Sequence, residues 1–265
     1  MPESKPESEY ESKPEPESKT YTAALVIIGN EVLSGRTRDA NLQYLGTELN
    51  AIGVRLMEVR VVPDIEEVII DAVNAVRKTY DYVFTTGGIG PTHDDITSAT
   101  IAKAFGLDHG RHPDAEALLL DHYDPKDVTD ARMKMSETPA GAELLFNPIS
   151  KAPGFRVENV YVMAGIPRIM QAMFEGFRHT LSGGEPMKSR SVAGFIGEGK
   201  LGDELGDIQK RRPDVEIGSY PFVRDGKYGT SLVARHTDQT AVDDAIDEMR
   251  ALIVKHGVEP IEEKL

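Results

Sequence analysis

Three short apolar runs, each cut off by glycine, limit what this chain can fold into more than any other feature. Ala24-Leu25-Val26-Ile27-Ile28 stops at Gly29, Tyr82-Val83-Phe84 leads into Thr85-Thr86-Gly87-Gly88, and Val160-Tyr161-Val162-Met163 stops just before Gly165. None alternates polar with apolar residues, so each reads as a strand buried on both faces. Strands of that kind belong to parallel sheets covered by helices. Helical spacing fills the intervals. Leu42, Leu45, Leu49 and Ile52 precede Gly53, and Ile65, Val68, Ile69, Ala72, Val73 and Val76 form one stripe over 64–79. Further helices are expected at 97–105, in one or two pieces between 112 and 136, and from Pro167 to about 181. A second strand at 54–62 is stopped by Pro63. Open α/β sheets bind ligands beyond the carboxyl ends of their strands. The loops starting at Gly29, Gly87 and Gly165 are therefore expected to converge on one crevice.

Both flanks of this pattern differ from it. Residues 1–21 are expected to be a disordered acidic tail, since Pro, Glu, Ser and Lys offer no apolar face at any period. The α/β domain is placed at 22–182, and SGGEPM at 182–187 reads as a linker. Residues 188–265 read as a small βαββα unit, with strands near 189–196, 214–222 and 228–236 and helices near 201–211 and 239–256. The 265 residues carry 30 Lys+Arg against 44 Asp+Glu, a formal net charge of −14. A field of that sign argues against nucleic acid and anionic membrane as partners. The chain has no cysteine, which excludes disulfides, thiolate ligands and a Cys nucleophile. No apolar run reaches a membrane span and the N-terminus lacks a secretory pattern, so a cytoplasmic location is expected. The seven His show no paired spacing that suits zinc.

The stretch that carries chemistry is Thr85-Thr86-Gly87-Gly88-Ile89-Gly90-Pro91-Thr92-His93-Asp94-Asp95-Ile96-Thr97. Glycines at 87, 88 and 90 let a backbone approach a ligand and present N–H donors. A helix beginning near Thr97, with its hydroxyl as N-cap, favours an anion. Asp94 and Asp95 would repel a bare phosphate, and a hard divalent cation resolves that conflict by sharing carboxylate and phosphate oxygens. The residues alone leave two readings open. One is a metal-assisted phosphate or diphosphate site. The other is a tight turn whose carboxylates are favoured by the helix dipole.

GGIGPTHDDIT, together with GNEVLSG at 29–35, Asp39, Asn41 and VPD at 62–64, resembles the MoaB/Mog molybdopterin-binding domain family. The branch most similar is the N-terminal part of the competence/damage-inducible protein CinA, which NPISKAPGF at 147–155, MAGIPRIMQAM at 163–173 and IGSYP at 217–221 also resemble. The resemblance runs from about residue 22 to the end and implies a three-layer, mostly parallel α/β fold. It implies that the CinA-type deamidase domain is absent, the chain ending where that domain would begin. The TGG loop is implied to bind phosphates and the positions of Asp64 and Asp95 to be essential. Two departures stand out: Ser150-Lys151 before Ala152-Pro153-Gly154, where the family has a glycine and a small residue, and Asn30 in the first motif.

The resemblance implies catalytic roles for Asp64 and Asp95, metal ligation by Glu31, Asp64 and Asp95, and substrate contacts at Ser34, Asn41, Thr86, Gly87, Gly88, Gly90, Asp94, Pro153 and Gly154. Plainer roles compete. Glu31 can cap a loop, Asp64 can be an N-cap after Pro63, and His93 can be a solvated loop residue. Lys151 either neutralises a phosphate or is a surface charge. Gly197-Glu198-Gly199 with Asp203-Glu204 reads as a solvated turn and helix start. The expected activity is a pyrophosphatase dependent on Mg²⁺, Mn²⁺ or Co²⁺, acting on an ADP-ribose- or FAD-like diphosphate. The alternatives are adenylyl transfer to molybdopterin in cofactor biosynthesis, and a non-catalytic pterin or nucleotide-binding module. A homo-oligomer is expected from the relatives.

Overall fold

The computed structural model describes residues 19–263; the expected tail at 1–18 lies outside them. Strand β1 (Tyr21–Ile28) is followed by a single turn, α1 (Asn30–Leu33), then α2 (Asn41–Ala51), β2 (Val54–Val62), α3 (Glu66–Arg77), β3 (Tyr82–Thr86) and α4 (Thr97–Phe105). A small hairpin-like pair, β4 (His109–Arg111) and β5 (Glu137–Pro139), brackets α5 (Pro113–His122) and α6 (Asp130–Met133). Then come β6 (Glu143–Leu145), β7 (Gly154–Val157), β8 (Val160–Met163) and α7 (Pro167–Phe177). The chain finishes with β9 (Lys188–Gly194), α8 (Gly202–Arg211), β10 (Glu216–Arg224), β11 (Lys227–His236), α9 (Gln239–Lys255) and β12 (Ile261–Glu263).

The six-stranded sheet has the order β2-β1-β3-β8-β7-β6. Its first four strands are parallel, and β7 and β6 run antiparallel to their neighbours. The apolar runs behave as their composition demands. β1 alternates its side chains between two cores, Ala24, Val26 and Ile28 facing α3 and α4, and Ala23, Leu25 and Ile27 facing α2 and α7. Helices on both faces make the three layers. Full burial of a side chain such as Leu25, Phe84 or Phe174 contributes about 2 kcal/mol.

Several expectations need correction. β1 starts at Tyr21, whose ring stacks on Tyr82, and Lys19 pairs with Asp81 at 3.2 Å, so residues 19–21 are part of the fold and not of a tail. The stripe of α3 is buried at Ile69, Ala72, Val73 and Val76 but exposed at Ile65 and Val68; Ile65 is still extended and precedes the helix. β4, β5, β6 and β12 have three residues each and β7 has four, too short to register as a period. The segment 182–187 is tied down. The Gly184 N–H donates to the Gly53 carbonyl at 3.0 Å, and Asn50 Nδ2 to the Met187 carbonyl at 3.2 Å.

The C-terminal residues form a four-stranded antiparallel sheet of order β10-β11-β9-β12. Its core, which includes Val192, Leu205, Leu232, Ile246 and Met249, draws only on residues after 190. No helix among the described residues is long and apolar enough to cross a membrane.

Candidate functional site

The three glycine-terminated strands lie side by side, and their ends meet. The Gly87 N–H donates to the Met163 carbonyl at 3.1 Å, and the Gly29 N–H to the Val62 carbonyl at 3.1 Å. A Cβ on Gly165 would stand 3.2 Å from the Gly87 Cα. A Cβ on Gly87 would stand 2.1 Å from the Ile28 carbonyl oxygen, and its φ is +105°. Only glycine fits that crossing.

Behind the loop, Thr97 acts differently from expectation. Ile96 occupies the N-cap position, without a side-chain cap. The buried Thr97 hydroxyl donates to the Gly87 carbonyl at 3.0 Å, and its N–H donates to the Gly88 carbonyl at 2.9 Å. The Gly87 and Gly88 carbonyls are therefore held from α4. The Gly87 N–H is spent on β8, so Gly87 is not a backbone donor to substrate. Among the described residues the N–H groups of Gly88, Ile89 and Gly90 donate to no protein acceptor.

The expected single crevice is divided into three hollows around this loop. The first, of about 200 Å³, lies on the α4 side and is lined by Gly88, Gly90, Asp95, Pro153 and Phe155 with Ser98, His109, Lys134 and Glu137. The second, an open cleft of about 510 Å³, is lined by Asn30, Glu31, Ser34, Arg36, Thr37, Asp64 and Asp94. The third, of about 40 Å³, lies at the strand ends next to the cleft, with which it shares Glu31 and Thr37, and includes Asp39, Asn41, Thr86 and Gly165.

The two neighbouring aspartates diverge. Asp95 accepts the Thr92 N–H at 2.8 Å and the Thr92 hydroxyl, while Lys134 Nζ reaches the Thr92 carbonyl at 2.7 Å. Asp95 thereby braces the 90–95 turn and borders the first hollow. Asp94 is exposed and borders the cleft. Asp64 is not the N-cap of α3. Its Oδ2 accepts the Asn30 N–H at 2.9 Å and so caps α1, 34 residues away. The Glu31 carboxylate folds back over Gly29, where a Cβ would lie 2.5 Å from it. Ser34 donates to the Glu31 carbonyl at 3.3 Å, and Asp39 accepts the Leu42 N–H at 2.8 Å at the start of α2. The ligand set Glu31, Asp64 and Asp95 is thus not brought together; the carboxylates sharing one cleft are Glu31, Asp64 and Asp94. Among the described residues no three His, Asp or Glu side chains form a closed cluster.

Asn41 and Thr86 sit deepest. Asn41 Nδ2 donates to the Gly165 carbonyl at 2.8 Å, while Asn41 Oδ1 and Thr86 Oγ1 are buried without a hydrogen-bond partner. Buried polar atoms are rarely left so. Gly154 lines none of these three hollows. It belongs to β7, where a Cβ would stand 2.2 Å from the Val162 carbonyl oxygen. Lys151 has φ +60° and lays its ammonium 4.9 Å from the Phe146 ring centre. The buried Asn147 side chain organises this loop through Ile149, Ser150 and Ala152. His93 is a solvated loop residue. Glu198 accepts from Ser219, and Glu204 pairs with Lys255 and His256, both within the C-terminal sheet and its helices.

Four lining residues escaped the sequence reading: Ser98, His109, Lys134 and Glu137. Ser98 comes from the first turn of α4, just past the glycine-loop motif, and His109, Glu137 and Lys134 come from a short strand pair and a 3-10 turn with no motif spacing. The Ser98 hydroxyl donates to the Glu137 carbonyl at 2.6 Å, so it accepts from His109 Nε2 at 3.1 Å. Burial lowers the His109 pKa below its ordinary value. Arg36 was missed too, although it directly follows the GNEVLSG motif and is the cation of the cleft.

Residues 24–182 match the family described as "Probable molybdopterin binding domain", and residues 186–262 match "FAD synthase, middle domain". A protein of Archaeoglobus fulgidus is 35% identical over 198 residues, 74% of this chain and 84% of that relative. A "Probable FAD synthase" of Caenorhabditis briggsae is 28% identical over 273 residues, covering 92% of this chain and 51% of the relative, so the chain spans about half of it. The crystal structure titled "protein CinA with unknown function" from Thermoplasma acidophilum has 32% identity and a TM-score of 0.58, over 61% of this chain and 98% of that one.

Proposed function

The chain belongs to the family of probable molybdopterin binding domains, and from that premise we propose that it hydrolyses a nucleotide diphosphate of the ADP-ribose or FAD class with a divalent cation. One observation carries this reading. The N–H groups of Gly88, Ile89 and Gly90, which have no protein acceptor, belong to residues that line the first hollow, and the same loop reaches the cleft bordered by Glu31 and Asp64 through Asp94. One loop thus links amides suited to phosphate oxygens with carboxylates suited to a hard cation. The likeness to a relative named FAD synthase supports an adenine-dinucleotide substrate.

The donor set fits Mg²⁺ or Mn²⁺. Such ions take carboxylate oxygens, keep several waters and complete their shell with substrate phosphate, so a closed protein cluster is not required. One or two of Glu31, Asp64 and Asp94 would hold the ion, which when bound would supply charge neutralisation and an acidified water. The chain's own contribution is orientation. The Gly88–Gly90 amides hold the diphosphate, and Thr97 keeps them aimed by fixing the carbonyls behind them. Asp64 fixes α1 and with it Glu31 and Ser34. Asn41 Oδ1 and Thr86 Oγ1 offer polar contacts at the strand ends. In the hydrolysis water oxygen bonds to one phosphorus, the bridging P–O bond breaks, and AMP leaves with the second phosphomonoester.

The first hollow favours a second reading. It opens beside the same amides and is lined by Ile89, Ile96, Met135 and Phe155, a surface suited to a flat ring. Adenylyl transfer to molybdopterin would use it, with an organic phosphate in place of water. Incubation with ADP-ribose, with FAD, and with ATP plus molybdopterin, each with Mg²⁺, Mn²⁺ or Co²⁺, separates the two. AMP released from ADP-ribose or FAD and lost in Asp64→Asn supports hydrolysis. Pyrophosphate with adenylylated pterin replaces it by transfer. Saturable binding without turnover refutes both and leaves a binding module.

A further inference from the structure

The outer edge of the six-stranded sheet is a nine-residue strand, β2, with an apolar face that no element covers among the described residues. Met57, Val59 and Val61 are 59, 37 and 40% exposed. β2 pairs with β1 on one side only. The Val62 carbonyl accepts from Gly29 and so points toward β1. By alternation the backbone of Arg60 also points inward, and the N–H and C=O groups of Val59 and Val61 point to the free edge. Long unpaired edges of this kind are templates for another strand.

We propose that this edge binds a second copy of the chain, β2 against β2 antiparallel about a twofold axis at Val59, so that the two six-stranded sheets join into one. The charge order selects the occupant and the register. A twofold at Val59 sets Glu58 of each copy opposite Arg60 of the other, and Met57 opposite Val61. A twofold at Glu58 sets two carboxylates face to face, and one at Arg60 sets two guanidiniums face to face. A twofold at Val61 brings Glu58 to Asp64. Only the Val59 centre makes both facing pairs attractive, and cross-strand pairs are the unit of sheet stability. It also uses the outward-pointing groups of Val59 and Val61 for the ladder, as an isologous interface requires. Within one chain Arg60 Nε already lies 2.7 Å from Glu58 Oε1, so pairing across the axis would give a four-membered ion network. The same register places Arg55 of the second copy opposite Pro63, one residue from Asp64 of the candidate site.

The test uses the full chain. Analytical ultracentrifugation at tens of micromolar should give twice the chain mass. Glu58→Arg alone and Arg60→Glu alone should each weaken association about ten-fold or more, and the double exchange Glu58→Arg with Arg60→Glu should restore it. Melting curves check that each variant is folded. The chain lacks cysteine, so Val59→Cys should give a disulfide-linked dimer on mild oxidation, whereas Tyr228→Cys, on the exposed surface of β11, should not. A monomeric wild type would overturn the proposal. So would a dimer that ignores both single reversals and leaves Val59→Cys unlinked, since association would then use another face.

Discussion

Gly87 joins three strands because its backbone occupies a left-handed conformation against the Ile28 carbonyl. Gly87→Ala adds positive-φ strain and an overlap with backbone, and is expected to cost about 2–4 kcal/mol, read as a lower urea midpoint. His109 is the histidine that lines the first hollow. Burial favours its neutral form, so its folded pKa lies below the unfolded one, and the stability it supports is present above about pH 6.5 and lost as pH falls. NMR titration should place its midpoint below the ordinary histidine value of about 6.5, and His109→Gln should reduce the loss of stability on acidification. At this scale the sequence was informative about residue types and silent about their partners. Asp64 and Asp95 stood out in the motifs, but that one caps a distant turn and the other braces its own loop depends on side-chain directions that spacing does not encode.

Helices and strands with a full period were read closely from sequence. α2, α4, α8 and α9 begin and end within a residue or two of expectation, because caps, glycines and apolar stripes are local signals. Connecting segments were not. The stretch 147–152 is shaped by one buried side chain, Asn147, which accepts from the Ile149 and Ser150 N–H groups and donates to the Ala152 carbonyl and the Ser150 hydroxyl. Asn147→Ala is expected to cost about 2–4 kcal/mol and to loosen Pro153 at the first hollow, measurable as faster amide exchange over 148–152. SGGEPM resembles a flexible linker by composition, yet Gly183 lies where a Cβ would be 1.6 Å from the Ile52 carbonyl oxygen. Its glycines serve close packing. Gly183→Ala should therefore lower the melting temperature by several degrees, as about 1–3 kcal/mol of overpacking would, where a true linker would tolerate it.

Across the whole molecule the two larger sheets among the described residues have separate cores, the C-terminal core drawing on nothing before residue 190. A fragment of residues 186–265 is expected to fold alone, with a cooperative melt and dispersed amide resonances. A fragment without either would show that the unit needs the larger sheet. If the larger sheets join at β2 as inferred, the net charge of −14 per copy opposes association at long range, so dimerisation should strengthen as salt screens it.

The sequence by itself determined the order of strand, glycine loop and helix, the burial of β1, β3 and β8 on both faces, and the end of the sheet at which the candidate site lies. These follow from periods of 2 and 3.6 and from glycine, all of which act within a few residues. Tertiary structure alone decided that β7 and β6 turn antiparallel, that His109 and Lys134 reach the loop, and that Asp94 and Asp95 border different hollows. Each of these rests on contacts between segments tens of residues apart or on the direction of one side chain. Burial and hydrogen bonding select such contacts only when the layers have come together.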